Sequence, residues 1–258
     1  MTDFIEIRDT RTAYELTGSG PPLLMLHGGE GSRRSFAKIL PELSDRFTVI
    51  TYDQRDCGET VGPESPANLA TLADDACALV QALGHARAFV FGTSFGGRVA
   101  QALALRHAQV VSRLVLASTW PLPVSLAHAN ADVASETARL RAQLPASAEQ
   151  LADYFFPARF LADHPEYKRH FKAAPVRSAR SERRAATVGD TPELAIGGIG
   201  MPILLVAGGD DRLVPAELTL SLARYIHGTR SVVLPGVGHL SYVQAPAVLA
   251  PHLRDFLT

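Results

Sequence analysis

Short runs of apolar and β-branched residues alternate along the chain with longer stretches in which apolar residues recur every three or four positions. The short runs predict strands over residues 4–7, 12–16, 22–27, 47–52, 87–93, 112–119, 202–209 and 231–235, the first two forming a hairpin. Runs such as LLMLH, AFVFGT, RLVLAS and ILLVAGG are apolar on both faces, as strands buried in a parallel sheet must be. Between them, Leu69, Leu72, Ala76, Leu79, Val80 and Leu83 mark one face of a helix over 68–83, which Gly84 is suited to end. Residues 95–106, 215–225 and 246–257 read the same way. Strand and helix in alternation predict an α/β protein with a doubly wound, mostly parallel sheet of eight strands flanked by helices.

From Pro121 to Gly200 the rhythm breaks, and the segment is helical and polar with no strand candidate. It is too long for a plain loop in a compact domain. The expectation is a helical lid inserted after the sixth strand, with residues 1–120 and 201–258 as the core and 121–200 as the insertion.

Composition removes several function classes. A net charge of −1 over 258 residues gives no argument for a nucleic-acid partner. No apolar run is long enough to span a bilayer. The opening MTDFIEIRDTRTAYEL carries early acids and no unbroken apolar stretch, so no signal peptide is expected. Cys57 and Cys77 form neither a metal-type nor a redox-type pair, and the default compartment is a reducing cytoplasm.

The chemistry starts at Gly92-Thr93-Ser94-Phe95-Gly96-Gly97, which follows the strand AFVF and opens the helix GRVAQALALRH. A sharp strand-to-helix turn strains its central residue, and small neighbours two before and two after relieve the crowding. The turn lifts a serine hydroxyl beyond the carboxyl edge of the sheet, beside the free N–H groups of a helix start. A serine nucleophile needs a base. His239 lies in Gly236-Val237-Gly238-His239 after the last strand, where a loop reaches the same edge. The other histidines singled out, His107, His164, His170 and His252, sit in or beside polar helical stretches. The base needs an acid, and Asp210 and Asp211 both follow the strand ILLVA. Asp211 is preferred because it stands four residues before Pro215, at the start of the next helix; Asp210 then serves as a capping or surface acid. The order Ser94, Asp211, His239 is that of one of the three well-known serine triads. The N–H of Phe95 and that of Gly29, in His27-Gly28-Gly29-Glu30-Gly31-Ser32, are the candidate oxyanion donors. That glycine cluster lacks the spacing of a nucleotide-phosphate loop.

Together these segments resemble the α/β-hydrolase superfamily, in particular its small bacterial esterase and enol-lactonase members, with some likeness to proline iminopeptidases. His27-Gly28-Gly29 is similar to the family's oxyanion loop, and Asp53-Gln54-Arg55-Asp56-Cys57-Gly58-Glu59-Thr60 to its D-x-R-G-x-G-x-S stretch. The elbow, the segment Asp211 to Pro215 and the GVGH segment match as well. The resemblance covers 23–120 and 202–257 but not the lid. The chain departs from it at Glu30, where proline is frequent, at Asp56 for glycine, at Thr60 for serine, and at Gln244 for an acid.

Several side chains are candidates for the substrate pocket: Glu30, Trp120, Phe155, Val214 and Leu240. Glu30 either attracts a substrate amine or, the preferred reading, sits in the first turn of the next helix. Trp120 is a pocket wall or lid packing. Tyr154, Phe155, Phe156, Phe160 and Leu161 form the lid's own core with one ring left for substrate. Lys168, Arg169, Lys172, Arg177, Arg180, Arg183 and Arg184 read as a solvated face, with anion binding as the alternative. Cys57 reads as a small buried residue rather than a reactive thiol. The resulting expectation is hydrolysis of a carboxylic ester, lactone or thioester of a small molecule through an acyl-enzyme, with no metal and no cofactor. The oligomeric state, monomer or homodimer, stays open. Amide or carbon–carbon hydrolysis, a cofactor-free lyase or perhydrolase, and a non-catalytic ligand receptor on the same fold stay as alternatives.

Overall fold

The computed structural model describes residues 2–171, 178–190, 192 and 195–258. Eight strands form one sheet: β1 (Asp3–Ile7), β2 (Thr10–Thr17), β3 (Pro22–Leu26), β4 (Thr48–Tyr52), β5 (Ala88–Thr93), β6 (Val111–Ala117), β7 (Ile203–Gly208) and β8 (Arg230–Leu234). Their order is β1-β2-β4-β3-β5-β6-β7-β8. The β1–β2 hairpin and the β2–β4 pair are antiparallel, and every other pair is parallel. The winding starts at β3, runs outward to β4, and then resumes on the other side of β3 at β5. Connections that diverge from adjacent strands open a crevice at their carboxyl ends, where ligands of such sheets bind. The loops that leave β3 and β5 carry the HGG segment and Ser94.

The helices are α1 (Leu40–Leu43), α2 (Leu69–Ala82), α3 (Phe95–Arg106), α4 (Leu126–Ala129), α5 (Ala131–Ala142), α6 (Ala148–Phe155), α7 (Ala158–Asp163), α8 (Ala179–Gly189), α9 (Ala216–Leu220), α10 (Ser241–Gln244) and α11 (Pro246–Leu257). The Asn68 side chain caps α2 by accepting from Thr71 N–H at 2.9 Å, and Gly84 ends the segment at φ 84°. Alternate residues of each central strand enter opposite layers, as a two-residue period requires. Leu24, Val90 and Leu116 pack with Leu72, Val80 and Leu103 of α2 and α3, whereas Met25, Phe91 and Val115 pack with Leu249, Leu253 and Phe256 of α11.

Helices α4 to α8 lie between β6 and β7. Their packing is less polar than their sequence suggests, because Leu140, Leu151, Phe155, Phe156 and Leu161 join the second of these clusters. No described helix is long and apolar enough to cross a membrane.

Candidate active site

The turn from β5 into α3 has no room for side chains. A Cβ at Gly92 would meet Gly96 O at 2.5 Å, and one at Gly96 would strike the backbone of Leu26 and His27. This close approach leaves Ser94 at φ 54° and ψ −127°, a left-handed conformation that serine adopts only under constraint. The constraint comes from both sides. Ser94 N–H donates to Ala117 O at 3.0 Å, and Ser94 O accepts from Thr119 Oγ1 at 2.7 Å and from Gly97 N–H at 2.9 Å. The hydroxyl is left at the carboxyl edge of the sheet. The Phe95 N–H beside it stands at the first helical position, where no intrahelical acceptor exists.

Asp211 and His239 leave the same edge from β7 and β8. Asp211 Oδ1 accepts from Leu213 N–H at 3.0 Å and from Val214 N–H at 2.9 Å, which aims Oδ2 at His239 Nδ1, 2.9 Å away. The two side chains are 0% and 2% exposed. A carboxylate fixed by two amides fixes the imidazole tautomer in turn: Nδ1 carries the proton and Nε2 is the free, basic end. His239 N–H donates to Phe155 O at 2.9 Å, and its ring lies edge-on to the Phe155 ring, 5.5 Å between centres. Gln244, which replaces the family's acid, clamps the loop by accepting from Gly238 N–H and donating to Gly236 O, both at 2.8 Å. Asp210 is exposed and makes no hydrogen bond to His239; it lines an open groove of about 570 Å³ with Asp153, Asp211, Arg212 and Glu217. Among the described residues Ser94 Oγ makes no hydrogen bond, to His239 or to any other group.

The HGG loop lies against Ser94, since a Cβ at Gly28 would sit 3.5 Å from that of Ser94. His27 is wholly buried and supports this loop. Its Nδ1 lies 2.8 Å from Gly28 O and its Nε2 accepts from Gln54 N–H at 3.2 Å, so the ring is neutral with the proton on Nδ1. Burial holds its pKa down at about 3, with the nearby Arg184 guanidinium adding to the effect. Gln54 Nε2 donates to His27 O at 2.8 Å, and Gln54 Oε1 accepts from Arg184 Nη2 at 3.1 Å. No group of three or more His, Cys, Asp or Glu is gathered as for a metal ion among the described residues.

The remaining candidates part company. Phe155 is buried against His239, while Val214 serves Asp211 through its amide. Leu240 is buried in the cluster that holds Phe155. Trp120 is buried with its ring 5.3 Å from the guanidinium of Arg98. Arg98 itself ties the two ends of the inserted helices to α3, donating to Leu122 O at 2.6 Å and Asp190 O at 2.7 Å. Burial lowers its pKa to about 10.

Two expectations need correction. Glu30 does not occupy a first helical turn: it sits in a turn ahead of Ser32, the cap of a short 3-10 helix, and its exposed carboxylate pairs with Arg141 of α5 at 2.8 Å. The basic stretch is not a uniformly solvated face. Arg184 is 7% exposed beneath the HGG loop, Arg183 pairs with Asp56 at 2.8 Å, and Arg180 donates to Gly58 O at 2.9 Å. Lys172 and Arg177 lie outside the described residues. Asp56 takes φ 58°, which explains glycine as the family's usual residue there, and in this chain it gains an arginine from α8. Cys57 is buried, and burial pushes its thiol pKa up. Arg184 and the clamp at Gln244 escaped the sequence reading. A neutral glutamine in place of a frequent acid was the available signal for the clamp; nothing in the charge pattern singles out Arg184 from its neighbours.

Residues 21–246 match the model of a family described as the alpha/beta hydrolase fold. A protein of Agrobacterium fabrum (strain C58) provisionally named carbamate hydrolase RutD is 28% identical, over 92% of this chain and 93% of its own. Among solved structures, a hydrolase from Pseudomonas aeruginosa is 30% identical with a TM-score of 0.80, covering 99% of this chain and 98% of that one. A thermophilic esterase from Thermogutta terrifontis is 28% identical with a TM-score of 0.82 and the same coverage. With the strand order, the glycine-crowded elbow and the match across residues 21–246 in agreement, the chain belongs to the alpha/beta hydrolase fold family.

Proposed function

We propose that this hydrolase cleaves a carboxylic ester, lactone or thioester of a small molecule through an acyl-enzyme, with Ser94 as nucleophile, His239 as base and Asp211 as the acid that orients it. The observation that carries the reading is the buried His239–Asp211 pair at 2.9 Å, at the edge where the strained elbow lifts Ser94. The buried carboxylate holds the Nδ1 proton, so that Nε2 is the end turned to the nucleophile, and it stabilises the imidazolium that forms. His239 Nε2 takes the Ser94 proton as Oγ adds to the carbonyl carbon. The carbonyl oxygen gains the charge between the N–H groups of Phe95 and Gly29. Collapse expels the alcohol or thiol, which takes the proton from His239, and a lactone's alkoxide leaves in the same way while staying tethered. Water then repeats the sequence and releases the acid. The Ser94–His239 hydrogen bond closes as substrate excludes water, a tightening that is common when catalytic hydrogen bonds meet their ligand.

In this reading α4 to α8 act as a lid that shapes the acyl pocket, with Phe155 facing substrate. The name of the Agrobacterium relative supports a second bond class, a carbamate, which the same steps would cleave. Ser94→Ala tests the proposal: hydrolysis of p-nitrophenyl acetate should fall by about three orders of magnitude or more. A wild-type rate in that variant refutes it, and an aryl carbamate assayed in parallel ranks the two bond classes.

A further inference from the structure

We infer that Arg184, from the inserted helix α8, is a positioning residue for the oxyanion: its guanidinium holds the Gly28–Gly29 peptide so that the Gly29 N–H faces the space over Ser94. The inference rests on the serine-hydrolase reading above.

Two successive glycines are the least constrained dipeptide a chain contains, and the Gly28–Gly29 peptide can flip at little steric cost. A donor that must meet a developing charge has to be held before the reaction, because reorganisation during it costs rate. Arg184 supplies the hold. Its Nε donates to Gly29 O at 2.9 Å, and its Nη2 donates to Gly28 O at 3.4 Å and to Gln54 Oε1 at 3.1 Å. His27 Nδ1 donates to the same Gly28 O at 2.8 Å. Gly28 O and Gly29 N belong to one trans peptide, so they point in opposite directions. Gly28 O also accepts from Gly31 N–H at 3.2 Å, and with the carbonyl held by the arginine, the histidine and this turn, the Gly29 N–H points the other way; it donates to no backbone or side-chain acceptor among the described residues. A Cβ on Gly28 would lie 3.9 Å from Ser94 Oγ, so the loop runs beside the serine.

The arginine is itself held. It is 7% exposed, and its guanidinium carbon lies 4.8 Å from the centre of the Phe95 ring, the residue that offers the other oxyanion amide. Val188, one turn further along α8, would meet a Cβ on Gly29 at 3.3 Å. Arg183 and Arg180 fasten the same helix to Asp56 and Gly58. One helix from outside the sheet therefore sets the geometry of the loop that follows β3. Arg184 Nη1 is buried and has no partner among the described residues, which makes recognition of an anionic group of the substrate the rival role.

The test compares wild type, Arg184→Lys and Arg184→Met on p-nitrophenyl acetate, a neutral ester, with near-ultraviolet circular dichroism to verify folding. Removing one oxyanion donor lowers kcat by about 10²–10³-fold, and misplacing it by an ångström costs about 10²-fold. Arg184→Met should lose about 10- to 100-fold in kcat with KM within about twofold, and Arg184→Lys, which keeps a donor and the ring contact, should lose less. The rate of phosphonylation by a fluorophosphonate, which places the same charge on the same oxygen, should fall in parallel. Three results overturn the inference: a wild-type kcat in a folded variant, a rise in KM alone, or a loss of kcat seen only where the dichroism is also lost. A wild-type protein indifferent to Ser94→Ala overturns the serine-hydrolase reading instead, so the two failures are distinguishable.

Discussion

Two of the contacts that the segment between β6 and β7 makes with the core use different chemistry. The first, through α6, is made by rings and aliphatic chains. Phe155 lies against His239 and, on its other side, 4.6 Å from the Phe171 ring, while Phe156 stacks on Phe160 at 5.3 Å. The second, through α8, is made by arginines, which reach the carbonyls of Gly28, Gly29 and Gly58 and the carboxylate of Asp56. One contact rests on the proposed base, the other on the loop of the proposed oxyanion donor. Apolar burial is strong but has no direction, and it suits a ring that needs only exclusion of water. Peptide planes have direction, and orienting them takes hydrogen bonds.

Breaking the aromatic contact should have the largest effect on stability. Phe155→Ala removes a ring that is 6% exposed in the core cluster, and should cost about 3–5 kcal/mol in urea denaturation. A variant as stable as wild type would show that α6 rests on the sheet without holding it.

The next effect belongs to the polar side and appears only as the pH is lowered. Folded His27 stays neutral down to about pH 3, whereas the unfolded imidazole takes a proton near 6.5. The unfolded chain therefore binds more protons across that window, and stability falls as pH drops through it, by up to about 1.4 kcal/mol per pH unit. Above pH 6.5 the contribution is complete and constant. The stability of wild type minus that of His27→Asn, followed by urea denaturation from pH 7 to 4, should show this slope, and a flat difference would remove His27 from the support of the HGG loop.

The smallest effect is expected where the two contacts meet, at the exposed pair between Glu30 and Arg141. Glu30→Gln should change stability by less than about 1 kcal/mol and leave KM for neutral esters unaltered. A large rise in KM for an amine-bearing ester would return Glu30 to the substrate pocket.

The same contrast explains how much of the molecule could be read from the chain. All eight strands, the helices at 68–83, 95–106 and 246–257 and the break between the sixth and seventh strands follow from periodicity, because burial in a layered fold writes itself as period two or three to four. Phe155 stood out only as one ring of an aromatic cluster, and its burial agrees with the core role read for most of that cluster. The strained elbow at Ser94 and the pairing of Asp211 with His239 were legible because such a turn demands glycines and an acid and a base proposed for it must follow particular strands. Arg184 was not. Charge along a helix says that water or a partner is near, and seven basic residues in one stretch hide which of them turns under a loop contributed from 155 residues earlier. Glu30 was misplaced because its partner, Arg141, lies in a segment with no motif. The groove beside Asp210 was invisible as well, since it is a product of how α6 sits against the acid loop.

The central claim is that Ser94 is a nucleophile activated by His239. Reaction with a fluorophosphonate, followed by peptide mapping in a mass spectrometer, tests it most directly. Wild type should carry one phosphonyl group, on Ser94, and His239→Ala should acquire it slower by about three orders of magnitude. An adduct on another residue, or His239→Ala labelled at the wild-type rate, would contradict the account.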